Sequence, residues 1–136
     1  MTDVHSTATR SKNMAAIRGK DTRAEKLVRS LIHRLGLRFR LHRRDLPGRP
    51  DIVLPRHSTV IEVRGCFWHM HSCRWGSVIP ASNSEFWREK REGNVERDKR
   101  NLCELKKLGW RVIVIWECEA RDVAKLEARL IRLFRL

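Results

Sequence analysis

The sequence lacks any feature that would place it in or across a membrane. No uninterrupted apolar run among its 136 residues approaches the roughly 20 residues needed to span a bilayer. The first 20 residues also lack the apolar stretch of a secretory signal. We therefore expect a cytoplasmic protein, in which the four cysteines serve as metal ligands or free thiols sooner than as disulfides.

Acidic residues are scarce relative to basic ones. The 16 aspartates and glutamates face 30 lysines and arginines, which gives a net charge of +14. Such an excess causes self-repulsion in a compact protein unless a polyanion neutralises it, and nucleic acid is the usual polyanion. A membrane surface is the alternative. Because 41% of the residues are apolar, we expect one folded domain that buries about two thirds of its unfolded surface.

The chain has no internal repeats or low-complexity segments, but its beginning differs from the rest. Residues 1–20 are polar and basic, with Arg10 and Lys12 close to a lone Met14. We interpret this segment as an arm that becomes ordered on DNA, the alternative being a tail without fixed structure. Residues 21–136 are then the folded domain.

The hydrophobic pattern predicts elements in the order α-β-β-β-α-β-α, which fits a mixed β-sheet covered by helices, an α/β fold. Asp21 and Thr22 can cap the first helix, and the long helix is expected to break near Gly93, with Asn94 capping its second part. The second and third strands form a predicted hairpin. The predicted helices span residues 21–35, 84–93, 94–108 and 120–134, and the predicted strands span residues 37–41, 51–54, 59–64 and 110–116.

The last of these strands contains an almost wholly apolar run, residues 112–115. Such runs are typical of strands that are covered on both faces. We therefore expect this strand at the centre of the sheet.

Metal-capable side chains crowd the segment Cys66-Phe-Trp-His-Met-His71-Ser-Cys73. Cys118 follows the last predicted strand, where the end of the sheet can meet this segment. Three thiolates and one imidazole make a closed, tetrahedral structural zinc site. Spacing does not decide whether His69 or His71 completes it, and the other histidine is then free to act as a general base.

Acidic groups converge at one end of the predicted hairpin. Asp51 begins one strand, and Glu62 and Arg64 lie on one face of the other because side chains alternate along a strand. Two carboxylates in such a place can hold magnesium, which activates water toward a phosphodiester. Arg64 can then neutralise charge on the phosphate. The alternative is a surface ion pair between Glu62 and Arg64.

A third acid lies on the helix after Asn94. Asp98 is three residues from Val95 and four from Leu102, within an apolar stripe. A carboxylate facing a core is costly unless it is paired, protonated or bound to metal. We take Asp98 as a site residue, the alternative being a cap or an ion pair with an arginine.

Three aromatic residues are candidates for insertion between DNA bases. Phe67, Trp68 and Trp87 can form a wedge that separates stacked base steps. The alternative is ordinary core packing, which is our interpretation of Trp110 and Trp116.

With these residues laid out, the sequence resembles the very-short-patch-repair (Vsr) endonucleases over nearly its whole length. The resemblance implies a restriction-endonuclease-like fold and a magnesium-dependent enzyme. Such an enzyme nicks the thymine strand at T:G mismatches left by deamination of 5-methylcytosine. The motifs that carry the resemblance are Ala8-Thr-Arg-Ser-Lys-Asn-Met14, Leu46-Pro-Gly-Arg-Pro-Asp51, Gly65-Cys-Phe-Trp-His69, Glu85-Phe-Trp87, Asn94-Val-Glu-Arg-Asp98, Gly109-Trp-Arg-Val and Trp116-Glu-Cys118.

The resemblance also implies a role for each matching residue. Asp51 would be a magnesium ligand, His69 the general base and Asp98 the acid that orients it. Glu25 would be a further active-site carboxylate that helps to hold water at the metal. The N-terminal arm would embrace the DNA from the other groove. The implied zinc ligands are Cys66, His71, Cys73 and Cys118, and the implied wedge is Phe67, Trp68 and Trp87.

The chain departs from this family beside the metal site. Val63-Arg64 stands where well-known members carry Thr-His, and the acidic Glu62 precedes it. The threonine position supplies a backbone carbonyl to the metal, which Val63 can still do. Asp51 with Glu62 and Arg64 resembles the Asp…Glu-x-Lys core of the broader nuclease superfamily. We therefore predict Glu62 as an additional magnesium ligand and Arg64 as a catalytic residue.

These expectations define one primary hypothesis and two rivals. The primary hypothesis is a monomeric mismatch endonuclease acting on duplex DNA in the bacterial cytoplasm, at the nucleoid, with repair proteins as possible partners. One rival is a restriction-type nuclease without mismatch preference. The other is a zinc-stabilised DNA-binding module without catalysis.

Overall fold

The structure is a computed structural model that describes residues 22–41, 43–74, 76–77, 79–80 and 82–136. The predicted arm, including Arg10, Lys12 and Met14, lies outside the described residues. The helices are α1 (Arg23–Arg34), α2 (Ser84–Lys107) and α3 (Val123–Phe134), and the strands are β1 (Arg40–Leu41), β2 (Ile52–Leu54), β3 (Thr59–Arg64) and β4 (Arg111–Trp116). Single 3₁₀ turns follow β2 at Pro55–His57 and β4 at Glu119–Arg121. Within the described part of the chain, no helix is long and apolar enough to cross a membrane.

The four described strands form one mixed sheet in the order β1-β2-β3-β4. Strands β1 and β2 are antiparallel, as are β2 and β3, whereas β3 and β4 are parallel. The predicted hairpin is therefore confirmed, with Ile52 opposite Ile61 and Leu54 opposite Thr59. The predicted mixed α/β fold is confirmed with it.

Alternation along the strands divides the core between the two faces of the sheet. On one face, β2, β3 and β4 pack against α1 and α3 through buried side chains that include Ile52, Ile61, Ile113, Val28 and Leu130. On the other face, Val53 and Val60 pack against Leu105 of α2. Glu62 and Arg64 follow Val60 at intervals of two, so they point to the α2 side of the sheet.

The first helix begins and ends as its sequence predicts. The Thr22 hydroxyl accepts a hydrogen bond from the Glu25 backbone N–H at 3.2 Å, which is an N-cap. Gly36, just past the helix, has a φ of +82°, the left-handed conformation that ends many helices.

The predicted break near Gly93 is wrong. Helix α2 runs without interruption for 24 residues, and Asn94 is not a cap: its side-chain amide donates to the Trp68 backbone oxygen at 3.0 Å. A glycine inside a helix costs only about 1 kcal/mol. Residues on both sides of Gly93 contact the loop that follows β3. These contacts can therefore outweigh the tendency of glycine to end a helix.

The predicted central position of the last strand is also wrong. Strand β4 lies at the edge of the described sheet, and β2 and β3 occupy the middle. Helices on both faces make an edge strand apolar, so the apolar run did not distinguish edge from centre. Side chains satisfy part of the open edge: Arg129 donates to the Val114 oxygen at 3.1 Å, and Glu119 accepts from the Trp116 N–H at 3.1 Å.

Gly48, in the turn before β2, should not tolerate a side chain. Its φ is +74°, and an added Cβ would lie 2.8 Å from the Asn101 side-chain nitrogen on α2. We expect Gly48→Ala to lower the free energy of unfolding, measured by urea denaturation, by about 3 kcal/mol, of which about 1–2 kcal/mol is backbone strain. Gly36 is the matched control, because it has a similar φ but nothing within 4 Å of an added Cβ. Equal losses in Gly36→Ala and Gly48→Ala would show that the contact with α2 is unimportant.

Candidate active site

The hairpin brings its two predicted carboxylates to one cleft. Asp51 lies one residue before the paired Ile52, and its Oδ2 accepts a hydrogen bond from the Val63 backbone N–H at 2.9 Å. The cleft has a volume of about 440 Å³, and its lining includes Asp51, Glu62, Val63, Arg64, Glu25, His69 and Asp98. The structure therefore brings together every residue predicted for catalysis or magnesium binding, although their roles stay predictions.

The electrostatic environment of Asp51 is unusual for an aspartate. The pKa of Asp51 is raised from 3.8 to about 7, mainly by burial and to a smaller extent by the neighbouring Glu25 and Glu62 carboxylates. The Val63 N–H and His69 partly oppose that increase in pKa. Three acids that disfavour one another's charge are a typical arrangement for a divalent-cation site, because the cation compensates their repulsion.

Glu62 and Arg64 form an ion pair, as one of the predicted alternatives has it. The Arg64 Nη2 and Nε atoms lie 2.7 Å and 3.2 Å from Glu62 Oε2. The pair is not on the surface, since the two side chains are 13% and 12% exposed. Arg64 Nε also lies 3.9 Å from Asp98 Oδ2, so Arg64 is an internal cation between two acids of the cleft.

His69 and Asp98 form a second pair in the cleft. His69 Nδ1 and Asp98 Oδ2 are 2.5 Å apart. An ionised carboxylate can only accept a hydrogen bond, so this contact places the imidazole proton on Nδ1 and leaves Nε2 as a proton acceptor. The geometry fits the predicted partnership of a general base with an orienting acid.

Glu25 lies at the start of α1 and is 6% exposed. Its carboxylate accepts from Arg29 at 3.2 Å, one helical turn away. It is close enough to Asp51 to raise the pKa of that carboxyl group. Glu25 therefore contributes to the same acidic site from a third element of the fold.

The four predicted zinc ligands lie together beside this cleft. The ligand atoms of Cys66, His71, Cys73 and Cys118 all lie within 4.8 Å of one another. In a tetrahedral site with metal–ligand distances near 2.0–2.3 Å, these atoms would be about 3.3–3.8 Å apart, so only small movements are needed. Of the two histidines left open by spacing, His71 belongs to this group and His69 is bound to Asp98.

The chemistry of this donor set fits a soft divalent metal. Burial raises the pKa of the Cys66 thiol to about 12 and also raises the pKa of Cys118. Thiolates in such surroundings need a bound cation to be stable. Their role as zinc ligands stays a prediction, and Cys103 is exposed and outside the group.

The predicted wedge residues form one aromatic cluster. The ring centroid of Trp68 lies 5.2 Å from Phe67 and 5.3 Å from Trp87. Trp68 is only 6% exposed, whereas Phe86, which packs on Trp87, is 52% exposed. Insertion of Trp68 between bases would therefore require its ring to leave the cluster.

Trp116 differs from its predicted role as a simple core residue. Its ring stacks on His71 with a centroid distance of 4.1 Å, and the Arg64 guanidinium lies 5.8 Å from its centroid. Trp116 thus contacts one member of the Cys/His cluster and one residue of the acidic cleft. Trp110 packs against the buried core on the α2 side, as predicted.

Sequence reasoning missed several polar residues that line the cleft from α2. Lys90, Asn94, Arg97 and Asn101 are spaced at intervals of four, three and four residues, so they follow one side of the helix together with Asp98. This spacing was the available signal. Fold and cleft together, in a strongly basic chain, define the nuclease class: carboxylates, a carboxylate-paired histidine and basic side chains share one cleft.

Comparisons with known proteins identify the family within this class. A family model described as DNA mismatch endonuclease Vsr matches residues 2–75. The chain is 52% identical over 130 residues to the type II nicking enzyme V.XorIIP of Xanthomonas oryzae, covering 96% of this chain and 95% of that protein. It is also 52% identical to the DNA mismatch endonuclease Vsr of Escherichia coli, covering 93% and 80%. The chain belongs to the Vsr family.

A solved structure supports the fold independently. The catalytic domain of the homing endonuclease I-Bth0305I superposes with a TM-score of 0.55 at 24% identity, covering 81% of this chain and 91% of that domain. At this identity the likeness concerns the fold alone, and it agrees with the mixed sheet flanked by helices.

Proposed function

We propose that this protein is a DNA mismatch endonuclease that makes one magnesium-dependent nick in duplex DNA at a T:G mismatch. The observation that carries the proposal is the convergence of Asp51, Glu62 and the His69–Asp98 pair in one cleft of a Vsr-family chain with a net charge of +14. The names of its relatives, a mismatch endonuclease and several nicking enzymes, support it.

Magnesium would be held by the Asp51 carboxylate, the Glu62 carboxylate and the Val63 backbone carbonyl. Oxygen ligands suit this hard cation. The pKa of Asp51 is raised to about 7 first by burial and then by repulsion from Glu25 and Glu62, and a bound cation would offset both effects. When bound, magnesium polarises the phosphodiester and stabilises the negative charge that develops during hydrolysis. Glu25 holds water near the same oxygens.

The protein's own residues handle the protons. His69 Nε2 accepts one proton from a water molecule, whose oxygen forms a new bond to phosphorus. One phosphorus–oxygen ester bond breaks, and the departing oxygen takes up a proton, so that a phosphomonoester and a hydroxyl group result. Asp98 keeps the imidazole in the required tautomer and stabilises its positive charge, while Arg64 balances charge on the phosphate.

Loss of the Glu62 charge should weaken magnesium binding more than it weakens the fold. Glu62→Gln keeps the shape of the side chain but removes its charge from the cleft. We expect the magnesium concentration for half-maximal nicking to rise about 10-fold, the equivalent of one lost carboxylate ligand at about 1.4 kcal/mol. Glu127, whose ion pair with Arg34 lies on the surface, is the matched control. An unchanged magnesium dependence in Glu62→Gln and in Glu62→Ala would refute Glu62 as a ligand.

Mismatch recognition is assigned to the aromatic cluster. A mispair stacks and pairs less well than its neighbours, so separating it costs less energy, and that difference becomes discrimination. Phe67, Trp68 and Trp87 supply three adjoining rings, and Trp68 lines the cleft. The predicted arm, with Arg10, Lys12 and Met14, would hold the duplex from the opposite groove.

Replacing Trp68 with alanine should reduce mismatch preference by more than it reduces general affinity for DNA. Ring–base stacking contributes about 1–3 kcal/mol, so we expect the ratio of nicking rates on mismatched and matched duplex to fall about 10-fold. The ratio is insensitive to any loss of folded protein, because both substrates are tested against the same preparation. Trp110→Ala, in the core away from the cleft, is the control. Equal losses on both substrates in Trp68→Ala would refute the wedge.

The Cys/His cluster has a structural role in this proposal. Zinc held by Cys66, His71, Cys73 and Cys118 would fix the segment that carries Phe67 and Trp68 of the wedge as well as His69. The protein would act as a monomer at the bacterial nucleoid and leave a nick for other repair proteins to process.

A nicking assay on labelled duplexes carrying each mismatch, in several sequence contexts and with magnesium, tests the proposal. We expect one strand to be cut at T:G and matched duplex to be cut much more slowly. Comparable cutting of matched duplex, or cutting of both strands, would favour a restriction-type nuclease. Tight binding without any magnesium-dependent nicking would favour a non-catalytic binding module.

A further inference from the structure

One side of α2 contacts the loop after β3 residue by residue. Trp87, Arg91, Asn94 and Asp98 follow one another at intervals of four, three and four, and thus form a single stripe along the helix. Asn94 donates to the Trp68 backbone oxygen at 3.0 Å, and Asp98 contacts the next residue along the loop, His69, at 2.5 Å. The stripe therefore couples the wedge to the proposed general base.

Arg91 is the member of this stripe whose role is not explained by the proposed chemistry. It is 5% exposed, and no other lysine or arginine in the described part of the chain is buried. Its Nε donates to the Phe67 backbone oxygen at 2.6 Å, and its Nη2 donates to the Gly76 backbone oxygen. Its guanidinium carbon lies 4.3 Å from the centroid of the Phe67 ring.

Arg91 thus contacts the Cys/His segment near its start and again just beyond its end. Phe67 directly follows Cys66, and Gly76 comes three residues after Cys73. Gly76 is pressed against the backbone of His71, where an added Cβ would collide with the His71 oxygen. A side chain that holds the carbonyls of residues 67 and 76 therefore fixes the wedge relative to the metal-ligating loop.

Burying a guanidinium group is energetically costly, so the position of Arg91 must require an arginine specifically. An uncompensated buried charge is strongly unfavourable, and an apolar side chain of similar size would fill the same space without that cost. Only the planar fork of arginine presents several donors in fixed, diverging directions. A lysine would keep the charge but could not hold both carbonyls in the same geometry while covering the Phe67 ring.

We propose that Arg91 is a positioning residue that fixes the Phe67–Trp68 wedge on the metal-ligating loop, and that this fixation sets how strongly the protein discriminates mismatched from matched DNA. The inference rests on the proposed mismatch-nicking function. Arg91 itself touches neither the acidic cleft ligands nor the reacting atoms, so it acts through Phe67.

The test compares Arg91→Lys with the wild-type protein in three measurements. These are the ratio of nicking rates on T:G and matched duplex, the affinity for each duplex, and the fluorescence of 2-aminopurine placed beside the mismatch, which reports base unstacking without requiring cleavage. We expect the rate ratio to fall about 10-fold and the 2-aminopurine signal to fall with it. Affinity for matched duplex should change less than about 2-fold. Arg88→Lys, on the same helix with a side chain 62% exposed, should match the wild type.

Chemical rescue separates positioning from a general loss of structure. Arg91→Ala should recover mismatch preference and the 2-aminopurine signal when methylguanidinium is added, at unchanged zinc content. A full rate ratio in Arg91→Lys would overturn the proposal. So would a loss of zinc and folding in both variants that methylguanidinium does not reverse. If the wild-type protein itself does not nick mismatched duplex, the proposed function fails instead, and 2-aminopurine unstacking still tests Arg91.

Discussion

Replacing Asp51 with asparagine should abolish nicking and at the same time stabilise the protein. The substitution removes the charge that would hold magnesium at the phosphate, and with it several kcal/mol of transition-state stabilisation, so we expect the rate to fall at least about 10³-fold. The shape of the side chain and its contact with the Val63 N–H are kept. Single-turnover nicking of a T:G duplex at saturating magnesium measures this loss.

The gain in stability follows from the direction of the pKa shift. The pKa of Asp51 is raised from 3.8 to about 7 in the folded protein, so the folded state binds a proton more tightly than the unfolded state. The free energy of unfolding therefore falls as pH rises from 3.8 to about 7, and the loss is complete above that range. At pH 8 without divalent ions, we expect Asp51→Asn to be more stable than wild type by at most about 4 kcal/mol, the full equivalent of the raised pKa.

The effect of magnesium on stability distinguishes a metal ligand at Asp51 from a carboxylate that is only repelled by its acidic neighbours. Magnesium should raise the melting temperature of the wild-type protein at pH 8 and leave that of Asp51→Asn unchanged. Nicking by the wild type should increase as pH rises through about 7, because the metal competes with the proton on Asp51. Asp45→Asn, at an exposed surface pair with Arg43, is the control. A magnesium response that survives in Asp51→Asn would remove Asp51 from the ligand set.

Loss of one thiol from the Cys/His cluster should destabilise the whole protein. Cys118 follows the end of β4, whereas Cys66 and Cys73 lie in the loop after β3, so a shared metal would tie two separated segments together. We expect Cys118→Ser to lose about one zinc ion per chain. We also expect its free energy of unfolding to fall by on the order of 5 kcal/mol. This loss is smaller than the zinc-binding free energy of zinc-finger peptides, about 10–16 kcal/mol, because this chain also has a hydrophobic core.

The matched control for this substitution is Cys103→Ser. Cys103 is exposed on α2 and outside the cluster, so zinc content by atomic absorption and the unfolding curve should equal those of wild type. Loss of zinc in Cys118→Ser should abolish nicking as well, because the same loop carries His69. A Cys118→Ser protein with full zinc content and unchanged stability would contradict the structural metal site.

Local signals predicted the elements whose partners are close in sequence. The Thr22 cap and the stop at Gly36 define α1 without help from the rest of the molecule. The hairpin of β2 and β3 needs only a short turn between two apolar segments. In contrast, the edge position of β4 and the continuity of α2 through Gly93 depend on which elements pack against them, and no local pattern carries that information.

The residues of the candidate site also differ in how far local sequence could predict them. Residue type and spacing were enough to single out Asp51, Glu62 and the Cys/His segment, and the family resemblance chose between His69 and His71. Arg91 was not recognised and Asn94 was predicted only as a helix cap, because on a highly charged helix polar residues resemble ordinary solvent-exposed ones. Their importance comes from the docking of a loop 24 to 26 residues earlier in the chain.

The most direct measurement of the central claim is strand-resolved nicking of a duplex labelled on both strands, carrying either T:G or T:A at one position, with and without magnesium. The account predicts one cut, in the thymine strand of the T:G duplex only, which requires magnesium and disappears in Asp51→Asn. A T:G duplex left intact by folded, zinc-loaded protein, or a nick that persists in Asp51→Asn, would contradict it.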